Sequence, residues 1–214
     1  MEVLNPTSIR AALQETLLGE VAHGKMMSYK RALAKEAMHF DPPPKISAVM
    51  MLLYFQEDAL HTLFMKRPEN QGVHSGQISF PGGKKEDADI SLLDTALRET
   101  KEEIGLSQEY IEPLGKLSEI YIPPSNFIVH PYVGFVKELP KLLPSPDEVK
   151  EIISFPVLRL FDDSIVSKKQ IFIPKYQSQV EVPVFDIHGH ALWGATAMMI
   201  SEFKMMLEKY SSSK

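Results

Sequence analysis

The chain has 214 residues, 44% of them hydrophobic, with a formal net charge of −5 and no cysteine. That length and apolar share suffice for one large domain, or for a domain with an extension. The mild acid excess gives no electrostatic drive toward nucleic acid, whose affinity comes mostly from Lys and Arg meeting phosphates, and the lack of cysteine excludes disulfide frameworks, thiolate metal sites and cysteine nucleophiles.

The opening MEVLNPTSIRAAL has no basic segment followed by an apolar run, so it does not read as a signal peptide. No stretch approaches the roughly 20 consecutive apolar residues that span a bilayer. The expectation is a soluble, cytoplasmic protein that binds neither nucleic acid nor membrane. Residues 7–18 place Ile9, Leu13 and Leu17 at helical spacing behind polar capping residues. Residues 25–39 also read as helix, and the DPPP run Asp41–Pro44 ends it in a stiff connector. Residues 1–44 are therefore expected to form an N-terminal helical arm, and 45–214 the main domain.

The apolar run KISAVMMLLYF predicts a buried strand over 46–55, followed by a turn and a second strand ending near Arg67. Residues 68–79 read as a loop, and FPGGK at 80–84 as a sharp break. A helix is predicted over about 90–104, strands at 114–122, 130–137, 171–175 and 180–186, and a last helix over about 193–209. Strands and helices without regular βαβ alternation predict an α+β layered domain.

The most informative segment is GGKKEDADISLLDTALRETKEEIGL, Gly82–Leu106. With roughly 100° per residue on a helix, Leu93, Ala96, Leu97, Thr100 and Ile104 share one face, and Glu99, Glu102 and Glu103 share the next. Three neighbouring carboxylates repel one another by up to a few kcal/mol at intermediate dielectric, on the order expected for charges about 4 Å apart. Either some take protons, or a hard cation sits between them; oxygen-only ligands suit Mg2+ or Mn2+. Arg98 is placed to orient one carboxylate through a bidentate pair, and Gly105 supplies the helix stop. A Glu-rich face is more often merely solvated, and Lys101 stands close enough to neutralise part of the charge. The glycine pair upstream argues for chemistry, because it permits close backbone approach of a carbonyl to a metal or of amides to a phosphate.

This segment resembles the Nudix box of the Nudix hydrolase family: Gly, five residues, Glu, seven residues, then Arg-Glu-apolar-any-Glu-Glu-any-Gly-apolar. Gly83 and the run Arg98-Glu99-Thr100-Lys101-Glu102-Glu103-Ile104-Gly105-Leu106 follow the pattern. Asp89 stands in the place of the first Glu, eight residues instead of seven separate it from Arg98, and Thr100 replaces an aliphatic residue. The resemblance implies a Nudix fold, a mixed sheet sandwiched between helices, and hydrolysis of a nucleoside diphosphate linked to another group. It implies that Glu99 and Glu103 are the leading metal ligands, that Glu102 assists, and that the Gly83 carbonyl completes the shell. A carboxylate must also take the proton of the attacking water; Glu99, Glu103 and Glu148, in the loop before Phe155-Pro156, are the candidates. Glu148 reads equally well as a helix-start residue.

Upstream, Arg67, Gly76 and Phe80-Pro81-Gly82-Gly83 resemble the second motif of the coenzyme A pyrophosphatase branch, as do EVKEIISFPVLRL and LWGATAMMISEF downstream. The implied substrate is coenzyme A or a thioester of it, with Arg67, His74, Gly76, Gln77, Gly82 and Gly83 as substrate contacts. Pro68 and Gly72 stand where that motif has a small residue and a second Arg. Without that Arg, the 3′-phosphate of coenzyme A must be met by Arg67, Lys66, His74 or Lys84, or the ligand is ADP-ribose or another nucleoside diphosphate derivative lacking it. A metal-free binding module is the remaining alternative, and intact box glutamates argue against it. His74 and Gln77 have plain loop roles as alternatives, and the single tryptophan, Trp193, reads as core. The Met pairs at 198–199 and 205–206 read as core filling or as a homodimer contact.

Overall fold

The apolar run after the prolines becomes β1, Lys45–Gln56, the central strand of the computed structural model, which describes residues 4–29, 31–69, 76–173 and 177–212. Successive side chains of a strand point to opposite faces. Ala48, Met50, Leu52 and Tyr54 accordingly join one buried cluster, and Met51 and Leu53 another. Burial on both faces explains why this strand reads as a continuous apolar run instead of an alternating one.

Around it lie β2 Ala59–Lys66, β3 Ile78–Ser79, β4 Gly82–Lys84, β5 Ile111–Lys116, β6 Ile120–Ile122, β7 Phe127–Val136 and β8 Glu151–Pro156. The order is β3-β2-β1-β7-β5, with β4 paired to β1, β6 to β7 and β8 to β2. β1 and β7 run parallel over Lys45–Tyr54, and the β1–β2 and β1–β4 pairs are antiparallel, so the sheet is mixed. A smaller antiparallel sheet holds β9 Val166–Ile173, β10 Ser178–Ile187 and β11 His190–Leu192.

The helices are α1 Pro6–Gln14, α2 Gly19–His23, α3 Ala34–Ala37, α4 Leu92–Ile104 and α5 Gly194–Ser212. α4 covers one face of the large sheet through Ala96, Leu97 and Ile104. α1 and α5 cover the other, bringing Ile9, Ala12, Leu13, Ile200 and Phe203 against Met51, Leu53 and Leu114. The result is the expected α+β layering of a mixed sheet between helices. No helix among the described residues is long and apolar enough to cross a membrane.

The N-terminal region departs from its predicted helices. Asn5 caps α1 through the Ser8 N–H at 2.9 Å, but the helix ends at Gln14, not Leu18. The span 25–39 is not one helix. Met26 is anchored in the main core, while Ala34 and Ala37 pack against Tyr121 and Ile128 in a separate cluster. Of the described residues in this span, only the 3-10 turn at Gly24–Met26 and the single turn α3 are helical. The predicted strand 114–122 is broken into β5 and β6, and β8 and β11 had no counterpart among the predicted strands. Met198 and Met199 are buried in the main core, and Met206 is buried as well.

Candidate active site

Antiparallel pairing with β1 holds β4 so that Gly83 lies opposite Ala48. The two glycines serve different ends. Gly82 sits at φ 152°, where a Cβ would fall 2.3 Å from the Ala48 carbonyl oxygen, so no other residue fits there. At Gly83 a Cβ would fall 2.4 Å from the Glu99 carboxylate, so its missing side chain lets that carboxylate lie on the turn. The Gly82 N–H donates to Glu103 Oε2 at 2.7 Å. The turn and the helix are thus joined at two carboxylates.

α4 starts at a capping box, Ser91 with Asp94, and ends at Gly105, φ 73°, whose N–H donates to the Lys101 carbonyl. Its three glutamates are not equivalent, although one stripe carries them. Glu103 is buried with a side chain only 3% exposed, Glu99 is half-buried, and Glu102 is 54% exposed. The buried stripe takes in Glu103 together with Thr100 and Ile104.

Arg98 organises the rest. Its Nε and Nη2 donate to the two oxygens of Asp89 at 2.9 and 3.0 Å, a fork pairing that suits guanidinium. Nη1 donates to Glu99 at 3.0 Å and Glu102 at 2.9 Å, and Nη2 also donates to the Lys84 carbonyl at 3.0 Å. Asp89 further accepts from the Glu86 N–H at 2.8 Å and Thr95 Oγ1 at 2.9 Å. The shorter acid and the longer spacer therefore still place a carboxylate on Arg98.

The charges respond to this packing. The Arg98 guanidinium beside Asp89 holds that carboxyl well below the usual carboxylate range. Burial pushes Glu103 up to about 7, with Glu99 and Glu148 adding to the rise and the Gly82 N–H and Arg67 opposing it. Burial raises Glu99 too; Arg98 opposes, and Glu102 and Glu148 reinforce. Two crowded carboxyls that resist ionisation are a place where added positive charge is strongly favoured.

Glu148 belongs to a turn, not a helix start. The loop before it docks on the end of α4, where the Leu143 N–H donates to the Ile104 carbonyl and the Ser145 N–H to that of Glu103, at 2.9 and 2.8 Å. These bonds satisfy carbonyls left open at the helix end and bring the exposed Glu148 carboxylate within electrostatic reach of Glu99 and Glu103. Arg67 Nη1 lies 3.5 Å from Glu103 Oε1. The loop after Arg67 is closed by the bonds Arg67 N–H to Gln77 carbonyl, 3.0 Å, and Gly76 N–H to Pro68 carbonyl, 3.2 Å. Gly76, at φ 64°, turns the chain there. His74 and Gly72 lie outside the described residues.

Beside the glycine turn opens a cavity of about 440 Å3, whose lining includes Arg31, Arg67, Gln77, Gly82, Gly83 and Lys84. Tyr29, Phe127, Phe172 and Trp193 give it aromatic walls. Trp193 is thus half-buried against a cavity and not core. The arm residues Tyr29 and Arg31 had no signal in the sequence; a helix was expected there, and no local pattern marks irregular chain that lines a remote cavity.

Among the described residues, no three acidic or histidine side chains converge into a ready metal cage. The donor chemistry nevertheless fits a hard divalent cation: all-oxygen ligands, a carboxylate laid on a Cβ-free turn, and two carboxyls whose ionisation waits on a counter-charge.

Known proteins resemble this chain. The family described as NUDIX domain matches residues 44–176. The mitochondrial coenzyme A diphosphatase NUDT8 of Homo sapiens is 33% identical over 181 residues, 83% of this chain and 75% of that protein. The uncharacterized Nudix hydrolase NudL of Pectobacterium atrosepticum is 30% identical over 149 residues, 68% of this chain and 74% of that one. The peroxisomal coenzyme A diphosphatase NUDT7 of Mus musculus is 32% identical over 124 residues, 58% of this chain and 52% of that protein. The crystal structure of RenU, a Nudix hydrolase from M. smegmatis, shares the fold at a TM-score of 0.52 and 12% identity, over 80% of this chain and 88% of that one. With its glycine turn, its carboxylate helix and more than half its length matched to one family, the chain belongs to the Nudix hydrolases and is a pyrophosphohydrolase.

Proposed function

We propose that the protein hydrolyses the pyrophosphate linkage of coenzyme A or its thioesters, giving 3′,5′-ADP and 4′-phosphopantetheine. The observation that carries this reading is the cavity beside Gly82–Gly83, which combines Arg31, Arg67 and Lys84 with aromatic walls. A nucleotide carrying several phosphates and a long arm needs both. The names of the two coenzyme A diphosphatases among the relatives support the same substrate.

In this reading Glu99 and Glu103, assisted by Glu102 and the Gly83 carbonyl, hold Mg2+ or Mn2+. When bound, the ion supplies neutralising charge to the diphosphate and acidity to the attacking water. Arg98 positions Glu99 and ties the turn to the helix. Glu103 has both oxygens engaged, one by the Gly82 N–H and one beside Arg67, so it serves to hold the site. Glu148, exposed on its turn and facing the same cluster, takes the proton. Arg67 and Lys84 meet the diphosphate oxygens, and Gln77 and Gly76 shape the loop at the cavity rim.

The test is a substrate panel with Mg2+ or Mn2+: coenzyme A, acetyl-coenzyme A, ADP-ribose and a dinucleoside diphosphate. Release of phosphopantetheine from the coenzyme A compounds is expected, abolished by a chelator. Glu148→Gln is expected to lower kcat by about 10²–10⁴-fold, the usual reach of a general base, with KM little changed. Brisk turnover of ADP-ribose with none of coenzyme A would overturn the substrate, and full activity in the Glu148 variant would overturn its role.

A further inference from the structure

We propose that the N-terminal arm builds a phosphomonoester subsite in this cavity, with Arg31 as the side chain that reads a phosphate carried on the ribose of the substrate. The inference rests on the substrate reading above and extends it to a residue outside the box.

The first observation is the sign of the cavity. In a chain of net charge −5, its lining includes Arg31, Arg67 and Lys84 and no Asp or Glu among the described residues. Such a cavity favours an anion with more charge than one cation answers. The second is how these cations are deployed. Arg67 stands 3.5 Å from Glu103, and Lys84 lies in the strand whose carbonyl binds Arg98, so both belong to the diphosphate end. Arg31 comes from a different part of the chain and adds a separate charge.

The third observation is its preparation. Met26 packs in the main core and Ala34 in the cluster with Tyr121 and Ile128, and between these two anchors Tyr29 and Arg31 line the cavity wall. The Arg31 guanidinium lies over the Tyr29 ring, 5.0 Å from its centroid, so its plane is set before a ligand arrives. Ser125, from the loop after β6, lines the same cavity, and its shielded hydroxyl has no hydrogen-bond partner among the described residues. A planar fork and a spare hydroxyl suit the three oxygens of a terminal phosphate.

Binding of 3′,5′-ADP and of 5′-AMP to the full chain, measured by calorimetry without metal, separates this subsite from catalysis. The wild type is expected to favour 3′,5′-ADP by about tenfold or more, the size of one or two charge-assisted hydrogen bonds. Arg31→Met should collapse that ratio toward one, and Arg31→Lys should restore part of it. The ratio of kcat/KM for coenzyme A over 3′-dephospho-coenzyme A should fall in parallel. Equal affinities in the wild type, or equal losses for both nucleotides in Arg31→Met, would overturn the subsite. Failure of the wild type to turn over either coenzyme would overturn the substrate reading alone, since the nucleotide ratio would still decide Arg31.

Discussion

Glu103→Gln should lower turnover by at least about a hundredfold while leaving the fold intact, in line with the proposed role of Glu103 as a metal ligand. The amide keeps the shape of the carboxyl, so the buried position stays filled. It forfeits the charge that the site concentrates where the Gly82 N–H and Arg67 both point. Unchanged activity would remove the helix from the mechanism.

The same substitution should raise stability without metal. Burial pushes Glu103 up to about 7, above its unfolded value near 4.5. A carboxyl raised in this way costs nothing below pH 4.5, where it is protonated in both states. Stability is then lost as pH rises from there to about 7, because folding must bury the charge. Glu103→Gln removes that loss, so chelator-treated protein at pH 8 should gain on the order of 1–3 kcal/mol by urea denaturation, and nothing at pH 4. A destabilised variant at pH 8 would contradict the crowding of charge at this site.

Glu202→Ala should have the largest effect on stability, a loss of about 3–5 kcal/mol by urea denaturation, the size expected when several buried donors to one carboxylate are orphaned together. That is a large part of the roughly 5–15 kcal/mol that holds most domains. The Glu202 side chain is wholly buried in α5. One oxygen accepts from the Gly19 N–H at 2.8 Å and Ser118 Oγ at 2.7 Å; the other accepts from the Ser118 N–H at 3.0 Å and meets His23 Nε2 at 3.1 Å. One carboxylate thus ties the arm, the loop after β5 and the last helix together, and its removal orphans several buried donors at once.

Burial alone would raise Glu202, but its bonds to His23, Ser118 and Gly19 outweigh that and lower it. A lowered carboxyl contributes stability above its unfolded value near 4.5, and that contribution is lost as pH falls through the folded value. Glu202→Ala should therefore flatten the acid limb of the stability profile below about pH 4.5. A loss under about 0.5 kcal/mol, or an unchanged acid limb, would show that the contacts of Glu202 are dispensable.

How much was legible follows from where each signal lies. The strand β1 and the helix α4 were visible because their burial patterns are local, a two-sided apolar run and a stripe every three or four residues. The arm misled because residues 25–39 have helical composition, yet Met26 and Ala34 are pulled into different clusters, and tertiary packing outweighs weak propensity. β8 pairs with β2, far back along the chain, and β11 is only three residues long.

The grouping of the box residues was determined by the sequence alone: Gly82, Gly83, Arg98, Glu99, Glu102 and Glu103 lie on one turn and one helix, and helical spacing by itself makes the glutamates neighbours. Which glutamate is buried and which faces solvent, and that Tyr29, Arg31 and Trp193 wall the cavity, were decided only by the tertiary structure. So was the gathering of Gly19, His23 and Ser118 around Glu202. The physical reason is that spacing fixes which side chains share a face, whereas burial, charge state and ligand contact depend on what is packed across from that face, and here the opposing groups come from remote parts of the chain.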